Sequence, residues 1–263
     1  MELIENQPDF VRRFTAWQAN EDLAGYPFVE NTRSPFTAVR RALPLTNLAL
    51  ISSAGAYIDG TPPFDTNTKD GDPNFREIPR EIEAADLRYS AKGYDPAAVL
   101  ADRNSQIPID RLLEYEENAV LGSLNECWWS LSSYIPNAAM VAGEIVPKLA
   151  ERLQRYNVQA ALLIPASRLC HQTLGIVARG LEYHGFPTIL ISVDRSVTDK
   201  VRPPRTAFWE GEFGSVAGRP NWKQHQLRIL DETLRWLETF DQPGTRKLVV
   251  DIETQVEVAR GEK

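Results

Sequence analysis

The sequence predicts an α/β domain that is built on a mainly parallel sheet with helices on its faces. The clearest indication is a strand at Ala160–Ala166, a helix that runs to about Gly185, and a second strand at Pro187–Val193. A further buried strand, Leu48–Ser52, follows a proline and runs into a turn of small residues. A strand, a helix and a second strand in this order form a parallel crossover unit, so two such units indicate a parallel sheet.

The chain divides into three parts by composition. Residues 1–45 are polar and aromatic, and we expect them to form short helical pieces that pack on the domain. Residues 46–240 are expected to form a single α/β domain of Rossmann- or flavodoxin-like character, with long loops at the carboxyl edge of the sheet. Residues 241–263 are charged and are interpreted as a C-terminal extension, in which Lys247–Ile252 is an alternative last strand.

A long loop and two long helices are predicted from residue 46 onwards. The stretch 58–76 is rich in Asp, Thr, Pro and Gly and has no apolar periodicity, which is typical of a long loop. A helix is predicted over 138–156, with Pro147 as the position where it is expected to kink. Another helix is predicted over 222–240, because its leucines recur at helical spacing.

Composition and charge exclude several classes of partner. The 263 residues carry a net charge of −7, which argues against nucleic acid and anionic membranes and leaves a small molecule as the expected substrate. No apolar run approaches the roughly 20 residues that span a bilayer, and residues 1–10 lack the pattern of a signal peptide. The two cysteines, Cys127 and Cys170, are too few for a disulfide framework. We therefore expect a cytoplasmic protein.

A serine and a cysteine stand three residues apart where the strand at 160–166 meets its helix. Ser167 is expected to cap the helix, which puts Cys170 at the third helical position and brings the two side chains together. The helix N-terminus favours a thiolate at Cys170, and His171 can act as an acid or a base beside it. In the structural alternative, Ser167 is only a cap, Cys170 packs under the sheet edge, and His171 is a solvated helix residue.

Further polar residues near this turn are candidates for binding a substrate. Ser53 lies in a turn of small residues at the end of the first strand, and Gln172 and Thr173 follow the thiol on the helix. In a site without redox chemistry, hydrogen bonds to the anionic group of a small polar ligand at the helix N-terminus would come from Ser167, His171, Gln172 and Thr173.

The long loop adds charged candidates for substrate binding. An amino-acid substrate needs a cation for its carboxylate and an anion for its amine, and Arg76, Asp65 and Asp72 supply these charges. The alternative is that Arg76 forms a salt bridge that orders the Asp-rich loop.

No bound cofactor and no metal site are predicted. The glycine pattern of a dinucleotide site is missing, the aspartates around Gly71 do not match a calcium loop, and no spacing fits zinc. The other two histidines, His184 and His225, are expected at the surface.

Three segments resemble those of a known enzyme family. They read LALISSAGAYIDGTPPFD followed by GDPNFREIP, then ADRNSQIPIDRLLEYEENAVLGSL, and ALLIPASRLCHQTLGIVARGLEYHGFPTILIS. Through them the chain resembles the selenoprotein B family of glycine, sarcosine, betaine and D-proline reductases, especially the D-proline reductase branch. The likeness extends over roughly residues 35–240, and the third segment is the most specific.

The resemblance implies an α/β subunit that takes part in reductive cleavage of a C–N bond in an amino acid or an N-substituted glycine. Family members use a selenocysteine-x-x-Cys pair and an external dithiol, and they carry histidines before a Tyr-Asp pair. In this chain Ser167 stands at the selenocysteine position and Cys170 keeps the sulfur, while Ser90-Ala91-Lys92-Gly93 precedes Tyr94. Since an alcohol forms no selenenyl-sulfide or disulfide, Ser167 and Cys170 are not a redox pair.

Three mechanisms are compatible with these residues. In the first, Cys170 alone is the nucleophile and is regenerated by an external dithiol or a thioredoxin-type donor. In the second, Cys127 swings in as the resolving thiol. In the third, the site binds a small polar ligand without redox chemistry.

We therefore predict a thiol-dependent reductase-family homologue that acts on a small amino acid or a related C–N compound, with Cys170 as the nucleophile. The alternative is a non-redox enzyme or a small-ligand-binding subunit that uses the same fold. The expected protein partners are a second subunit of a complex or further copies of this chain.

Overall fold

A computed structural model of the chain describes residues 2–17 and 23–261, apart from the side chains of 251–255. Its strands are β1 (Asn47–Ser52), β2 (Ala56–Ile58), β3 (Phe75–Pro79), β4 (Leu87–Tyr89), β5 (Ser123–Leu124), β6 (Cys127–Leu131), β7 (Ala160–Ile164), β8 (Thr188–Ser192), β9 (Arg205–Phe208) and β10 (Gly244–Lys247). Its α-helices are α1 (Gln7–Ala16), α2 (Ala97–Ala101), α3 (Ile109–Glu117), α4 (Ala138–Met140), α5 (Val146–Arg155), α6 (Arg168–Tyr183), α7 (Arg195–Val201), α8 (Lys223–Thr239) and α9 (Val250–Ala259).

The central sheet has eight strands and is mainly parallel. Seven of them follow the order β10-β9-β8-β7-β1-β6-β3, and β5 pairs with β1. The pairing of β3 with β6 is antiparallel, whereas the others in this sheet are parallel. A separate antiparallel pair is formed by β2 and β4. The predicted fold class, α/β with a mainly parallel sheet flanked by helices, is confirmed.

Successive residues of the central strands point into two different hydrophobic cores. In β1, Ala49 and Ile51 pack with side chains of α1, α5, α6 and α7, whereas Leu48 and Leu50 pack with those of α3 and α8. This alternation follows from the two-residue period of a strand. Because both faces are covered, the central strands are apolar almost throughout, as is typical of parallel sheets.

The connections that follow the neighbouring strands β1 and β7 cross opposite faces of the sheet. The chain passes from β1 through α2 and α3 to β6, and from β7 through α6 to β8. The buried apolar side chains of α3 belong to one core, and those of α6, apart from Cys170, belong to the other. Open α/β sheets form a crevice at the carboxyl ends of two such strands and bind their ligands there.

A buried arginine holds the N-terminal part of the chain against α6. The side chain of Arg179 is fully buried. Its guanidinium donates to the carbonyl groups of Leu3 at 2.8 Å and of Arg33 at 2.6 Å. Residues 2–17 and 23–41 are therefore anchored to the helix that carries the predicted thiol.

A buried ion pair lies nearby between α6 and β9. The carboxylate of Glu182 contacts the guanidinium of Arg205, and both side chains are fully buried. Glu182 also accepts hydrogen bonds from the backbone N–H groups of Thr37 and Thr188, and Arg205 donates to the Thr37 carbonyl at 2.6 Å. The pair thus joins α6, β8 and β9 to the N-terminal segment.

The structure differs from the predicted elements in two places. The loop predicted over 58–76 ends before Phe75–Pro79, which adds an antiparallel strand to the edge of the sheet. The helix predicted over 138–156 contains a π-helical segment, Val141–Ile145, directly before the turn with Pro147. Proline supplies no N–H to the helical ladder, so a local change of hydrogen-bond pattern at this point is expected.

The sheet also extends into residues 241–263, which the sequence suggested as a charged extension. The strand in this stretch is Gly244–Lys247, which pairs with β9, and residues 250–259 form a helix. The alternative strand at Lys247–Ile252 is therefore wrong, because α8 returns the chain to the edge of β9 before that point. None of the helices within residues 2–17 and 23–261 is long and apolar enough to cross a membrane.

Candidate functional site

Four buried polar residues meet at the carboxyl edge, where β1, β6 and β7 end. Ser53 follows β1, Ser133 follows β6, and Ser167 and Cys170 stand at the start of α6 behind β7. Each of the four is at most 2% exposed. Within the described part of the chain, the Ser53 hydroxyl is buried without a hydrogen-bond partner. Three residues of the predicted site, Ser53, Ser167 and Cys170, therefore lie together at the crevice between β1 and β7.

Ser167 caps α6, as the sequence predicts. Its Oγ accepts a hydrogen bond from the backbone N–H of Cys170 at 3.2 Å, and its own backbone is extended. The Ser167 Oγ and the Cys170 Sγ lie 3.5 Å and 3.3 Å from the same carbonyl oxygen, that of Ser133. The hydroxyl and the thiol are therefore neighbours that share one acceptor.

The thiol of Cys170 faces two backbone carbonyl groups. Its Sγ lies 3.3 Å from the carbonyl oxygens of both Ser53 and Ser133. Each oxygen can accept a hydrogen bond from the S–H group but repels a thiolate, whereas the N-terminus of α6 attracts one. Both carbonyl oxygens are therefore within reach of the S–H group as acceptors.

His171 is fully buried, and both of its ring nitrogens are hydrogen-bonded. Because Nε2 accepts from the backbone N–H of Val193 at 3.1 Å, Nδ1 carries the proton and donates to the carbonyl of Ser167 at 2.7 Å. Burial lowers the pKa of His171 to about 4, although the Ser167 carbonyl and Asp194 act in the opposite direction. A solvated position, as the structural alternative assumed, is therefore wrong. A role in proton transfer would require one of these two hydrogen bonds to break.

Gln172 and Thr173 use their hydrogen bonds within the protein. Gln172 accepts from the backbone N–H of Val29 at 2.7 Å and donates to the hydroxyl of Tyr26 at 2.5 Å. The Thr173 hydroxyl lies 3.3 Å from the carbonyl oxygen of Leu169, one turn earlier in α6. Both side chains are buried. Instead of facing a substrate, Gln172 anchors residues 26–29 and Thr173 bonds to its own helix.

The charged residues of the long loop bind one another. Asp72 accepts hydrogen bonds from the backbone N–H groups of Asp65 at 3.2 Å and Asn74 at 2.9 Å. The guanidinium of Arg76 lies 3.9 Å from the Asp72 carboxylate and 4.3 Å from the ring centre of Phe64. These contacts support the structural alternative, in which Arg76 orders the loop.

The segment Ser90–Asp95, called the strap from here on, covers the thiol. The hydroxyl of Ser133 accepts a hydrogen bond from the backbone N–H of Lys92 at 2.9 Å. The hydroxyl of Tyr94 donates to the carbonyl of Ala54 at 2.6 Å. The strap is therefore attached on both sides of Cys170, to the residues that follow β1 and to those that follow β6.

The strap also lies directly over Ser167. A Cβ placed on Gly93 would lie 3.4 Å from the Cβ and 3.5 Å from the Oγ of Ser167. The stretch where the resemblance implies histidines is thus adjacent to the predicted selenocysteine position. The ammonium of Lys92 is held elsewhere, since it donates to the carbonyl of Thr66 and lies 3.9 Å from the ring centre of Tyr134.

Sequence reasoning did not include Ser133 and Tyr94 among the candidate residues. A signal for Ser133 was present, because a Ser-Ser pair stands where β6 ends (Ser132-Ser133) and another stands where β1 ends (Ser52-Ser53). For Tyr94, no local pattern connects a tyrosine at position 94 with a carbonyl at position 54.

Cys127 and Cys170 lie at opposite edges of the sheet. Cys127 is the first residue of β6, whereas Cys170 contacts Ser133, beyond the end of β6. Because a strand rises about 3.3 Å per residue, the length of β6 separates them. Burial raises the pKa of Cys127 to about 11, and its sulfur lies 3.6 Å from the amide nitrogen of Asn125. The hypothesis that Cys127 swings in as a resolving thiol does not fit this fold.

His225 is buried rather than at the surface, so the expectation for this residue was wrong. Its ring lies 5.2 Å from that of Trp209 and 5.1 Å from that of Trp222, and its Nδ1 accepts from the backbone N–H of Arg219. His184 is exposed, as expected. Across residues 2–17 and 23–261, no group of three or more His, Cys, Asp and Glu side chains is arranged to hold a metal ion.

The chain is similar to subunits of several reductase complexes. It is 28% identical over 209 residues to the D-proline reductase subunit gamma of Acetoanaerobium sticklandii, which is 80% of this chain and 85% of that protein. It is 26% identical over 170 residues to the glycine reductase complex component B subunit gamma of Symbiobacterium thermophilum. It is 28% identical over 145 residues to the betaine reductase complex component B subunit beta of Peptoclostridium acidaminophilum.

The last two matches cover 62% and 52% of this chain but 38% and 32% of those longer proteins. No solved structure matches the chain. The family described as glycine/sarcosine/betaine reductase selenoprotein B matches residues 31–166, which is just over half of the 263 residues and ends directly before Ser167. On this match the chain belongs to the glycine/sarcosine/betaine reductase selenoprotein B family.

Proposed function

We propose that the chain is a subunit of a cytoplasmic reductase complex that cleaves a C–N bond in a small amino acid or a related compound, with Cys170 as its nucleophile. The observation that carries the proposal is the position of Cys170, in the first turn of α6 at the crevice between β1 and β7, with its N–H bonded to Ser167. Relatives named as reductase subunits support the assignment to a complex. Two free cysteines fit a reducing compartment.

In the proposed reaction, the Cys170 thiolate attacks the carbon that bears the substrate nitrogen. The C–S bond forms as the C–N bond breaks, and the nitrogen leaves with the bonding electron pair and takes up a proton. A thiolate of an external dithiol or thioredoxin-type donor then attacks the Cys170 sulfur, and the carbon departs with its electron pair and is protonated. The second thiol of the donor displaces Cys170 from the mixed disulfide. The substrate gains two electrons and two protons, and the dithiol becomes a disulfide.

This chemistry needs a conformational step, because Cys170 is 1% exposed and its sulfur faces two carbonyl oxygens. Opening of the strap would admit the substrate and free Ser133 from Lys92. The Ser167 hydroxyl, 3.5 Å from the Ser133 carbonyl, could then turn and donate a hydrogen bond to the thiolate. Ser167 would thus stabilise the nucleophile without taking part in electron transfer.

The pH dependence of Cys170 alkylation tests the proposal. Iodoacetamide labelling between pH 5 and pH 10, with the label located by mass spectrometry, is measured for the wild type and for Cys127→Ala and Ser167→Cys. We expect Cys170 to be labelled in the folded protein, at a rate that rises with pH because the thiolate is the nucleophile. Labelling that occurs only in denaturant would make Cys170 a packing residue and would overturn its role as nucleophile.

Turnover is tested with the compounds that appear in the names of the relatives and of the family. Glycine, sarcosine, betaine and D-proline are each incubated with the chain and dithiothreitol, with and without the proteins encoded beside it, and cleavage products are followed by mass spectrometry. We expect cleavage of at least one compound and its loss in Cys170→Ala. Full turnover in Cys170→Ala would contradict the proposed mechanism.

A second candidate function is a non-redox enzyme or a small-ligand-binding subunit. The observation that favours it is the pair of carbonyl oxygens 3.3 Å from the Cys170 sulfur, together with an alcohol at position 167. For this function we expect ligand binding that survives in Cys170→Ala and requires no dithiol. Dithiol-dependent turnover separates the two functions, because the first shows it in the wild type and loses it in Cys170→Ala, whereas the second lacks it in both.

A further inference from the structure

A second feature of the carboxyl edge is a cavity of about 630 Å³ beside the strap. It lies between α2, which follows the strap, and the loop that connects β9 to α8. Its lining includes Ala97, Ala101, Trp209, Glu212, Arg219 and Trp222. The volume is in the range of cavities that hold small organic ligands.

The loop that lines this cavity also covers the start of α6. The backbone N–H of Gly214 donates to the carbonyl of Ala166 at 2.9 Å, next to Ser167. The ring of Phe213, the residue before Gly214, lies edge-on to His171, with 5.7 Å between the ring centres. The cavity and the thiol site are therefore separated by one loop and the strap.

Tyr94 forms the contact between this loop and the strap. A Cβ on Gly214 would lie 2.8 Å from a ring carbon of Tyr94 and 2.6 Å from the carbonyl oxygen of Asp95, so glycine at position 214 allows the two segments to touch. The hydroxyl of the same tyrosine reaches the Ala54 carbonyl beside the thiol site. Tyr94 therefore lies against both the loop that lines the cavity and the turn beside the thiol site.

The lining of the cavity has apolar walls, the guanidinium of Arg219 and two carboxylates, of which that of Glu210 is paired with Lys247. Ala97, Ala101 and the indole rings of Trp209 and Trp222 supply the apolar surface. Glu212 and Arg219 are exposed there, and neither forms an ion pair with any residue in the described part of the chain.

The cation lies beside the start of a long helix. The guanidinium of Arg219 is 5.7 Å from the ring centre of Trp222, which is the N-cap residue of α8 and makes no side-chain cap hydrogen bond. The positive end of the helix and the arginine together favour an anionic group at this rim of the cavity.

We propose that this cavity holds a small zwitterion, with its carboxylate on Arg219, its ammonium on Glu212, and its carbon skeleton against the alanines and indole rings. The inference rests on the proposed function in one respect, which is that this zwitterion is the substrate delivered to Cys170. The binding itself is independent of the thiol.

Three probes with closely related rings separate the two charges. Proline carries both charges, pyrrolidine carries the cation alone, and cyclopentanecarboxylate carries the anion alone. Binding of each probe to the full chain is measured by titration calorimetry for the wild type, Arg219→Gln and Glu212→Gln. The control variants are Arg155→Gln and Glu151→Gln, an exposed pair on α5 outside the cavity.

We expect the wild type to bind proline more tightly than either single-charge probe. Arg219→Gln weakens proline and cyclopentanecarboxylate about tenfold and leaves pyrrolidine unchanged, because it removes one charged hydrogen bond. Glu212→Gln weakens proline and pyrrolidine about tenfold and leaves cyclopentanecarboxylate unchanged. Both control variants bind as the wild type does, and circular dichroism confirms that each variant is folded.

Two results would overturn the inference. One is the absence of proline binding by the wild type at tens of millimolar, and the other is equal weakening by the cavity variants and the control variants. Cys170→Ala separates this inference from the proposed function. If it binds proline normally while the wild-type thiol fails the alkylation test, the cavity assignment stands and the nucleophile does not. If the thiol is alkylated as expected but Arg219→Gln and Glu212→Gln do not weaken proline binding, the nucleophile assignment stands and the cavity assignment does not.

Discussion

The Tyr94 hydroxyl and the Cys170 thiol donate to consecutive backbone carbonyl groups, those of Ala54 and Ser53, at 2.6 Å and 3.3 Å. Tyr94 belongs to the strap and Cys170 to α6. The strap and the thiol are therefore both attached to the short turn after β1. Burial raises the pKa of Tyr94, and the nearby Cys170 acts in the same direction, so the phenol stays protonated and keeps donating.

Removal of the Tyr94 hydroxyl is expected to loosen the strap. Since Cys170 is buried, its alkylation in the native state requires the strap to open, and Tyr94→Phe removes one hydrogen bond that opposes opening. A net hydrogen bond contributes about 1 kcal/mol, so we expect native-state labelling to become about fivefold faster. Iodoacetamide kinetics followed by mass spectrometry measure this rate.

The control for this experiment is Tyr183→Phe, which removes a hydroxyl from an exposed tyrosine on the same helix as Cys170. In Tyr183→Phe, Cys170 should be labelled at the wild-type rate. Equal labelling rates in the wild type and Tyr94→Phe would show that the strap does not control access to the thiol.

A methyl group at Gly55 is expected to destabilise the fold more than one at Gly60. Both glycines have positive φ, 68° and 79°, so alanine costs about 1–2 kcal/mol at either position. A Cβ on Gly55 would also lie 2.7 Å from the carbonyl oxygen of Ser90 in the strap, whereas nothing lies within 4 Å at Gly60. Urea unfolding of the two alanine variants measures the difference, and equal losses would contradict the close approach of the strap to Gly55.

The separation of the two thiols predicts the outcome of oxidation. A disulfide requires Cα atoms within about 7 Å, and the length of β6 lies between Cys127 and Cys170. We expect diamide to form no bond between them in the folded wild type. In Ser167→Cys a bond to Cys170 should form readily, because the two side chains share the Ser133 carbonyl.

Non-reducing peptide mapping distinguishes these products. Cys127→Ala/Ser167→Cys is the matched control, and it should form the same new disulfide at the same rate. A Cys127–Cys170 disulfide in the folded wild type would return Cys127 to the list of candidate resolving thiols.

His171 is expected to make the fold sensitive to acid. Its pKa is lowered from 6.5 to about 4 in the folded chain, so the unfolded chain binds more protons between these values. The contribution of the neutral ring to the free energy of unfolding is fully present above pH 6.5 and is lost as the pH falls towards 4. From the size of the shift, the free energy of unfolding should drop by about 3 kcal/mol between pH 7 and pH 4.

The measurement compares urea unfolding of the wild type, His171→Gln and His184→Gln at both pH values. His171→Gln should lack this component of the pH dependence, whereas His184→Gln, which changes an exposed histidine, should retain it. The same pH dependence in all three proteins would mean that His171 titrates normally and is not held in its neutral form.

Removal of one charge of the buried ion pair is expected to lower the free energy of unfolding far more than replacement of both charges. Arg205→Met leaves the Glu182 carboxylate buried without its cation, which should cost about 3–5 kcal/mol. Glu182→Gln/Arg205→Met removes both charges and should recover part of this loss. As a control, Lys200→Met breaks an exposed pair with Glu30 and should cost less than about 1 kcal/mol. Thermal and urea unfolding measure all three.

The sequence was sufficient for the main elements and for part of the site. The apolar runs of β1, β7 and β8 and the helical stripe of α8 predict their structures from local periodicity, and the parallel order follows from alternation of strands and helices. The cap of α6 was also predictable, because Ser167 and the N–H of Cys170 are three residues apart in one chain segment. Cap geometry depends on short-range spacing, which a sequence contains directly.

The surroundings of these residues were decided by the tertiary structure. The two carbonyl oxygens at the thiol come from positions 53 and 133, and the partner of the His171 Nε2 comes from position 193. Arg76 and Gln172 carry the groups that a substrate site needs, yet packing directs them to Asp72 and to Val29. The sequence by itself determined which helix starts with Ser167 and Cys170 and at which edge of the sheet it lies. The burial of the thiol, the identity of its acceptors and the cover above it were decided only by folding, because they depend on contacts between segments far apart in the chain.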